Sequence, residues 1–471
     1  MSDILWIRRD LRIYDNPALV SAIENGVSIA VFISTPQKWH QHHLAPIKAD
    51  FIFRHLKQLE AELADLGITL LHIKATDFDD QAKLLTKLCQ QLGSQVVFAN
   101  SEPEVDEQAR DQQLISSGIN LQISDCDVML PRGSVLNQQG EMFKVFTPFK
   151  NAWLKEVQAK GIQCSPAALA SNNNAKTQLP DNLQTLQLAS EYDFDFPRVD
   201  SSRWPLSQDV LGNVIPNFLA NKVNDYAHLR DIPSVKGTSG LSPYLAIGAV
   251  SPRWLAIQLI QQQPDLLFDT QLPSFSWLNE LIWRDFYKHL IFHHPKLVKG
   301  ANFQQKYNGL DWYQDHPSFK AWCEGKTGYP LVDAAMRQLV ETGWMHNRLR
   351  MVVASFLTKH LLIDWRWGER FFMDHLIDGD FSANNGGWQW ASSTGCDAQP
   401  YFRIFNPITQ SEKFDPKGIF IRKYIPELQN IPDNHVHFPH DYIAKNGINS
   451  EYWQPIVEHK EARLRALAFF K

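Results

Sequence analysis

Ile4-Leu5-Trp6-Ile7 is an apolar run of four residues, closed at once by Arg8-Arg9-Asp10-Leu11-Arg12. A run this short, bounded by charge, reads as a buried strand and not as a helix. The texture returns at residues 28–34, 68–73, 95–99 and 119–123, with amphipathic stretches between. Within residues 48–66, Phe51, Phe53, Leu56, Leu59, Leu63 and Leu66 follow at the spacings of a core-facing helical stripe. Short strands alternating with helices predict βαβ units, hence an α/β domain with a parallel, Rossmann-like sheet over residues 1–130. Residues 8–12 stand where a glycine-rich phosphate loop would follow the first strand, so the dinucleotide fingerprint is absent.

Residues 131–210 are expected to link two domains. Their part from 165 onward carries Asn172-Asn173-Asn174, Pro166, Pro180, Pro197 and Pro205 and little periodicity, which reads as a long surface connection. Over residues 211–471 the texture is helical, with long candidates at 254–263, 276–293, 330–342, 348–362 and 367–377, so a larger all-α domain is expected.

At 471 residues the chain exceeds one small module, and 44% hydrophobic with 21% charged residues excludes wholesale disorder. The formal charge of -5 argues against a nucleic-acid partner. Its distribution reverses that inference: 19 Lys+Arg face 26 Asp+Glu before residue 211, and 27 face 25 after it, so an anionic ligand is expected on the second half. Cys89, Cys126, Cys164, Cys323 and Cys396 are odd in number and widely spaced, suggesting neither a disulfide framework nor a metal site. No secretory signal opens the chain and no apolar run reaches 18 residues, so a cytoplasmic protein without membrane contact is expected.

Nine of the 15 Trp lie between Trp277 and Trp390. A single tryptophan is ordinarily core, but the polar company of these is unusual. In Trp277-Leu278-Asn279-Glu280-Leu281-Ile282-Trp283-Arg284-Asp285-Phe286-Tyr287, helical spacing sets a carboxylate and an arginine among three aromatic rings. A planar ligand with polar edges satisfies both kinds of group. Gly343-Trp344-Met345-His346-Asn347-Arg348-Leu349-Arg350-Met351 puts Trp344, Asn347 and Met351 on one side with two arginines nearby; capping and surface ion pairs are the plain alternative. Asp378-Gly379-Asp380-Phe381-Ser382-Ala383-Asn384-Asn385-Gly386-Gly387-Trp388-Gln389-Trp390 offers carboxylates, glycines and amides ahead of an aromatic pair, or an ordinary turn. Gly237-Thr238-Ser239-Gly240-Leu241-Ser242-Pro243-Tyr244 supplies hydroxyls and backbone N–H groups suited to pyrophosphate.

These four clusters in this order, with the opening Leu5-Trp6-Ile7-Arg8-Arg9-Asp10-Leu11-Arg12-Ile13-Tyr14-Asp15-Asn16-Pro17-Ala18-Leu19, resemble the DNA photolyase/cryptochrome family, most closely its bacterial class I cyclobutane pyrimidine dimer photolyases. The resemblance covers nearly the whole chain. It implies FAD, working as FADH-, at Tyr226, Thr238, Ser239, Gly240, Leu241, Ser242, Trp277, Glu280, Arg284, Asn347, Arg350, Asp378, Gly379, Asp380 and Asn384. Arg350 and Asp378 are implied to pair at the ring system, and Asn384 to face flavin N5. The activity implied is light-dependent repair, a carbon–carbon lyase reaction in which reduced flavin lends one electron to a flipped-out dimer in DNA. Photolyases are a standard example of such base flipping.

The same resemblance implies lesion and DNA contacts at Arg230, Glu280, Trp283, Arg284, Tyr287, Asn347, Met351, Trp390, Arg403 and Gln410, and an electron path through Trp388, Trp365 and a near-surface Trp312, with Trp367 beside it. Glu280, Asn384, Trp312, Trp365 and Trp388 are the implied catalytic set, without a metal. A 5,10-methenyltetrahydrofolate antenna is implied at Asp106, Glu107 and Lys299, although Asp106 stands where relatives have Asn. The domains implied are antenna-binding (1–130), linker (131–210) and FAD-binding (211–471), in a monomeric protein. Two alternatives stay open. A cryptochrome-type blue-light photoreceptor is disfavoured by Asn384, where plant cryptochromes place Asp, and by the end of the chain at Lys471; a (6-4) photolyase needs two histidines, of which His346 supplies one nearby.

Overall fold

The computed structural model describes residues 3–168 and 181–471, so the asparagine run at 172–174 and Pro180 lie outside the described residues. Internal contacts divide the chain into two compact units, one of residues 1–223 and 239–298, the other of residues 224–238 and 299–471.

In the first unit β1 (Ile4–Ile7), β2 (Ile29–Ser34), β3 (Thr69–Lys74), β4 (Val96–Asn100) and β5 (Asn120–Ser124) form a parallel sheet in the order β3-β2-β1-β4-β5. The expected strands are present, shifted by one residue at most. Ile4 of β1 lies between Ile29 and Val97, and every residue of β1 and β2 is buried, because helices cover both faces of such a sheet. Helix Pro46–Asp65 buries Phe51, Phe53, Leu56, Leu59 and Leu63.

The stretch expected to be a linker does more than connect. Helix Phe146–Lys160 buries Phe146, Phe149, Trp153, Leu154 and Val157. Leu183 and Phe194 are buried as well, and Phe194 packs on Phe32, His72, Trp39 and Phe53. The described part of the expected surface connection therefore helps close the sheet, since its aromatics outweigh its polar composition. Helix Phe275–His293 belongs to this unit, where its buried Asp285 accepts from the Met129 and Leu130 amides and from Trp153 Nε1. Burial pushes that carboxyl up to about 6.

The second unit is helical, without a strand among its described residues. Helices Pro330–Thr342, Asn347–Ser355, Trp365–His375, Phe381–Ser392 and His459–Phe469 enclose a core that includes Trp322, Met336, Leu339, Phe356 and Trp365. The helix expected over 348–362 changes pitch at Ser355: Phe356–His360 is a π-helical turn. Lys359 there is fully buried and donates to the Ser392 carbonyl and Ser393 Oγ, so it caps the carboxyl end of Phe381–Ser392.

Candidate functional site

In the first unit, β1 and β4 lead in opposite directions along the sheet, which is where doubly wound folds open a ligand crevice. Here charged side chains occupy the space beside β1, while a cavity of about 390 Å³ remains beyond β4 and β5, lined by Ser101, Glu102, Asp111, Asp125 and Arg132 among others. Arg8 grips both oxygens of Asp111 at 2.9 and 2.8 Å, Arg110 joins Asp111 and Glu102, Arg9 pairs with Glu102 and Glu104, and Asn100 donates to Asp10 and Asn16. The guanidinium groups of Arg8 and Arg110 lie 3.8 and 4.5 Å from the Trp6 ring centre. Against the burial that alone would raise it, Arg9 and Arg110 hold the Glu102 carboxyl down at about 2. Beside this network Glu107 differs: burial, with Glu104 and Glu102 close, pushes its carboxyl up to about 7, and its buried Oε2 has no hydrogen-bond partner. Asp106 is committed to Lys38 at 2.9 Å and His42 at 3.4 Å.

Along Phe275–His293, Trp277 is buried against Phe218, while Glu280, Trp283, Arg284 and Tyr287 are half-buried. Trp283 lies flat on Phe146, with ring centres 3.6 Å apart and planes within 7°, so one face of its indole is occupied. Tyr287 sits 5.7 Å from the same indole. Arg284 donates to the carbonyls of Asp127 and Leu245. In the loop 237–242, Gly240 has φ +68° with open space where a Cβ would stand, and Leu241 is buried while Ser242 is exposed. Among the described residues no protein hydrogen bond engages the hydroxyls of Thr238 and Ser239 or the amides of residues 238–240. Left-handed φ favours glycine at 240.

In the second unit Arg350 Nη2 holds both oxygens of Asp378 at 3.0 and 2.7 Å, and its Nε donates to the Met345 carbonyl. The expected ion pair is present. Gly379 follows, where a Cβ would come within 3.2 Å of the Leu376 carbonyl, and Asp380 caps Phe381–Ser392 through the Ala383 amide. One turn on, Asn384 Nδ2 donates to the Glu369 carbonyl at 3.0 Å, which fixes its amide nitrogen. The Glu369 side chain accepts from Asn385 at 2.8 Å, and burial raises its carboxyl to about 7. Tyr226 is buried, Arg230 stands 5.6 Å from its ring centre, Met351 and Trp390 are half-buried, and Asn347, Arg403 and Lys299 are exposed. Gln410 Oε1 is buried without a partner. His346 is a buried cap accepting from the Arg348 amide; burial lowers it to about 4, so it is neutral at pH 7.

Trp388 and Trp365 are buried, Trp388 between Phe372 and Trp322 and Trp365 with its Nε1 on Asn302 at 3.0 Å. Gly368 makes this packing possible, since a Cβ there would stand 2.1 Å from the Trp388 ring. Trp312, expected near the surface, is only 8% exposed because Phe469 and Phe470 cover it. Trp367 stacks on His316 and meets Phe319 edge-on. Sequence reasoning missed Phe146 and Glu369. Phe146 had a signal, the helical stripe 146, 149, 153, 157; Glu369 had only its place one turn after Trp365. Among the described residues no group of three His, Cys, Asp or Glu is placed to hold a metal, and no helix is long and apolar enough to cross a membrane.

Residues 3–169 match the family model described as DNA photolyase, and residues 277–471 match the FAD binding domain of DNA photolyase. The chain is 48% identical to the deoxyribodipyrimidine photo-lyase of Vibrio cholerae, covering 99% of each, and 44% identical to that of Escherichia coli, covering 99% of this chain and 98% of the relative. Among solved structures it resembles a class III photolyase from Agrobacterium tumefaciens, with TM-score 0.79, 33% identity and coverage of 100% and 97%. A Synechocystis cryptochrome gives TM-score 0.82 at 26% identity, covering 99% of each chain.

Proposed function

The chain belongs to the DNA photolyase family, and on that premise we propose that it binds FAD and uses light to split cyclobutane pyrimidine dimers in DNA. The observation that carries this is identity of 48% with a deoxyribodipyrimidine photo-lyase along the full length of both chains. No observation favours the cryptochrome alternative, and a neutral capping role for His346 argues against the (6-4) one.

The residues present fit FAD. Unpaired donors on Thr238, Ser239 and Gly240 suit a pyrophosphate, and the open space at Gly240 lets backbone approach it. The remaining FAD residues of this proposal are Tyr226, Leu241, Ser242, Trp277, Glu280, Arg284, Asn347, Arg350, Asp378, Gly379, Asp380 and Asn384. When bound in its reduced anionic form, FAD supplies a light-driven electron to the lesion. Arg350, oriented by Asp378, presents fixed positive charge that offsets an anionic ring. Asn384, its amide nitrogen fixed by the Glu369 carbonyl, would have Oδ1 to accept from a ring N–H. Trp283, backed by Phe146, offers its other face to a flipped pyrimidine pair, with Glu280, Tyr287, Asn347, Met351 and Trp390 as further lesion contacts and Arg230, Arg284, Arg403 and Gln410 toward the DNA. Trp312, Trp365 and Trp388 would pass electrons inward, with Trp312 the outer member.

The antenna is the second part of the proposal. Glu107 suits a donor-rich pterin such as 5,10-methenyltetrahydrofolate, because its Oε2 lacks a partner, and Lys299 suits an acidic tail; Asp106 contributes through Lys38 and His42. Glu107→Gln should lower folate content without lowering FAD content. A cytoplasmic monomer completes the picture, for which sedimentation is the check. The activity is tested by blue-light repair of a thymine-dimer oligonucleotide with chemically reduced holoprotein. Dimer loss that requires light supports the proposal; intact dimers with FAD bound contradict it.

A further inference from the structure

The covering of Trp312 leaves a gap in the route to solution. Phe469 and Phe470 stand with ring centres 5.2 and 5.7 Å from Trp312. An oxidised indole sealed this way has little water to take its proton and little surface for a reductant to reach. The next residue, Tyr313, is 46% exposed. Its amide donates to the Leu362 carbonyl at 2.9 Å, which fixes the backbone beside Trp312, and its ring touches the rim of the same cover, 6.3 Å from Phe469. Asp311 and Asp315 flank it two residues away on either side, so the local charge favours loss of an electron. Tyr307 is the competing phenol and is worse placed: it is buried, and the Lys306 ammonium lies 4.6 Å from its ring centre.

We propose that Tyr313 is the surface donor that restores Trp312 after Trp312 has given up an electron. The inference rests on the reading of Trp312 as the outer member of the tryptophan path. One electron passes from the Tyr313 ring to oxidised Trp312, and the phenolic proton leaves to water, giving neutral tryptophan and a neutral tyrosyl radical. A thiol in solution then gives one hydrogen atom to the tyrosyl oxygen, and two such thiyl products join as one disulfide. Exposure of the phenol is what makes both the proton exit and the thiol encounter possible.

The test is time-resolved absorption and electron spin resonance of the holoprotein after a light pulse, with and without a small thiol. In the wild-type protein a tyrosyl signal should replace the tryptophan radical signal. Tyr313→Phe, which keeps the ring, should abolish the tyrosyl signal and lengthen the tryptophan radical lifetime at least tenfold; Tyr307→Phe should do neither. A tyrosyl signal that persists in Tyr313→Phe overturns the proposal. Trp312→Phe separates the two levels of the argument: loss of both signals supports the path, whereas an unchanged tyrosyl signal refutes the role of Trp312 itself.

Discussion

The carboxyl end of the sheet and the helix Phe381–Ser392 are both rich in charged and amide groups, yet they spend them differently. At the sheet, Arg8, Arg9, Arg110, Glu102, Glu104 and Asp111 pair with one another, and beside them a cavity of about 390 Å³ remains, lined in part by Glu102 and Asp111. In the helical unit, Arg350 and Asp378 pair, and Asn384 is held through its amide nitrogen alone among the described residues. Binding capacity follows the polar atoms left unpaired and not the fold class. Among the described residues of the first unit, Glu107 Oε2 is one of several buried atoms without a partner, and it is there that an antenna is proposed.

The sharpest way to break this contrast is to open the plug. Asp111→Ala leaves Arg8 and Arg110 without their shared carboxylate and should cost about 3–5 kcal/mol, the usual penalty for orphaning a buried charge. Urea unfolding followed by circular dichroism measures it. Next comes acid. Burial lowers His55, His72, His289 and His346 to about 4 and His360 to about 3. Each folded value lies below the unfolded one, so the unfolded chain takes up protons first, and stability present above pH 6.5 is lost as pH falls toward 4. Each histidine should contribute roughly 2 kcal/mol to the loss between pH 7.5 and 5. Raised Glu107, Glu369 and Asp285 act oppositely, losing stability as pH rises through about 6 to 7. A denaturation series across this range should therefore rise from pH 5 and flatten near 7; a monotonic fall would contradict the assignment.

Smaller effects test the lesion face and the flavin neighbour. Trp283→Ala removes the platform that Phe146 supports and should weaken binding of dimer-containing DNA by about 1–3 kcal/mol while FAD stays bound. Equal affinity in a titration would remove Trp283 from the site. Asn384→Asp adds negative charge where Asn384 now shows a neutral acceptor, so reduced flavin should form less readily and reoxidise faster in air, as absorbance decay would record.

Strands were legible to within one residue because four or five apolar residues between charges admit few readings. The helical unit was legible as helices, but periodicity does not report a change of pitch such as the π turn at Phe356–His360, within which Lys359 reaches Ser392. Partners distant in sequence were not legible: nothing local tells that Phe146 lies on Trp283 or that Phe470 covers Trp312. The family's motifs located the Arg350–Asp378 pair, whereas the exposure of Trp312 depended on residues at the far end of the chain.

The reading of Arg350 and Asp378 as holders of FAD is tested most directly by the FAD content of purified Asp378→Ala, released by denaturation and counted per folded chain. Loss of the carboxylate that orients Arg350 should reduce bound FAD at least tenfold while circular dichroism stays that of wild type. FAD retained at one per chain would contradict the account.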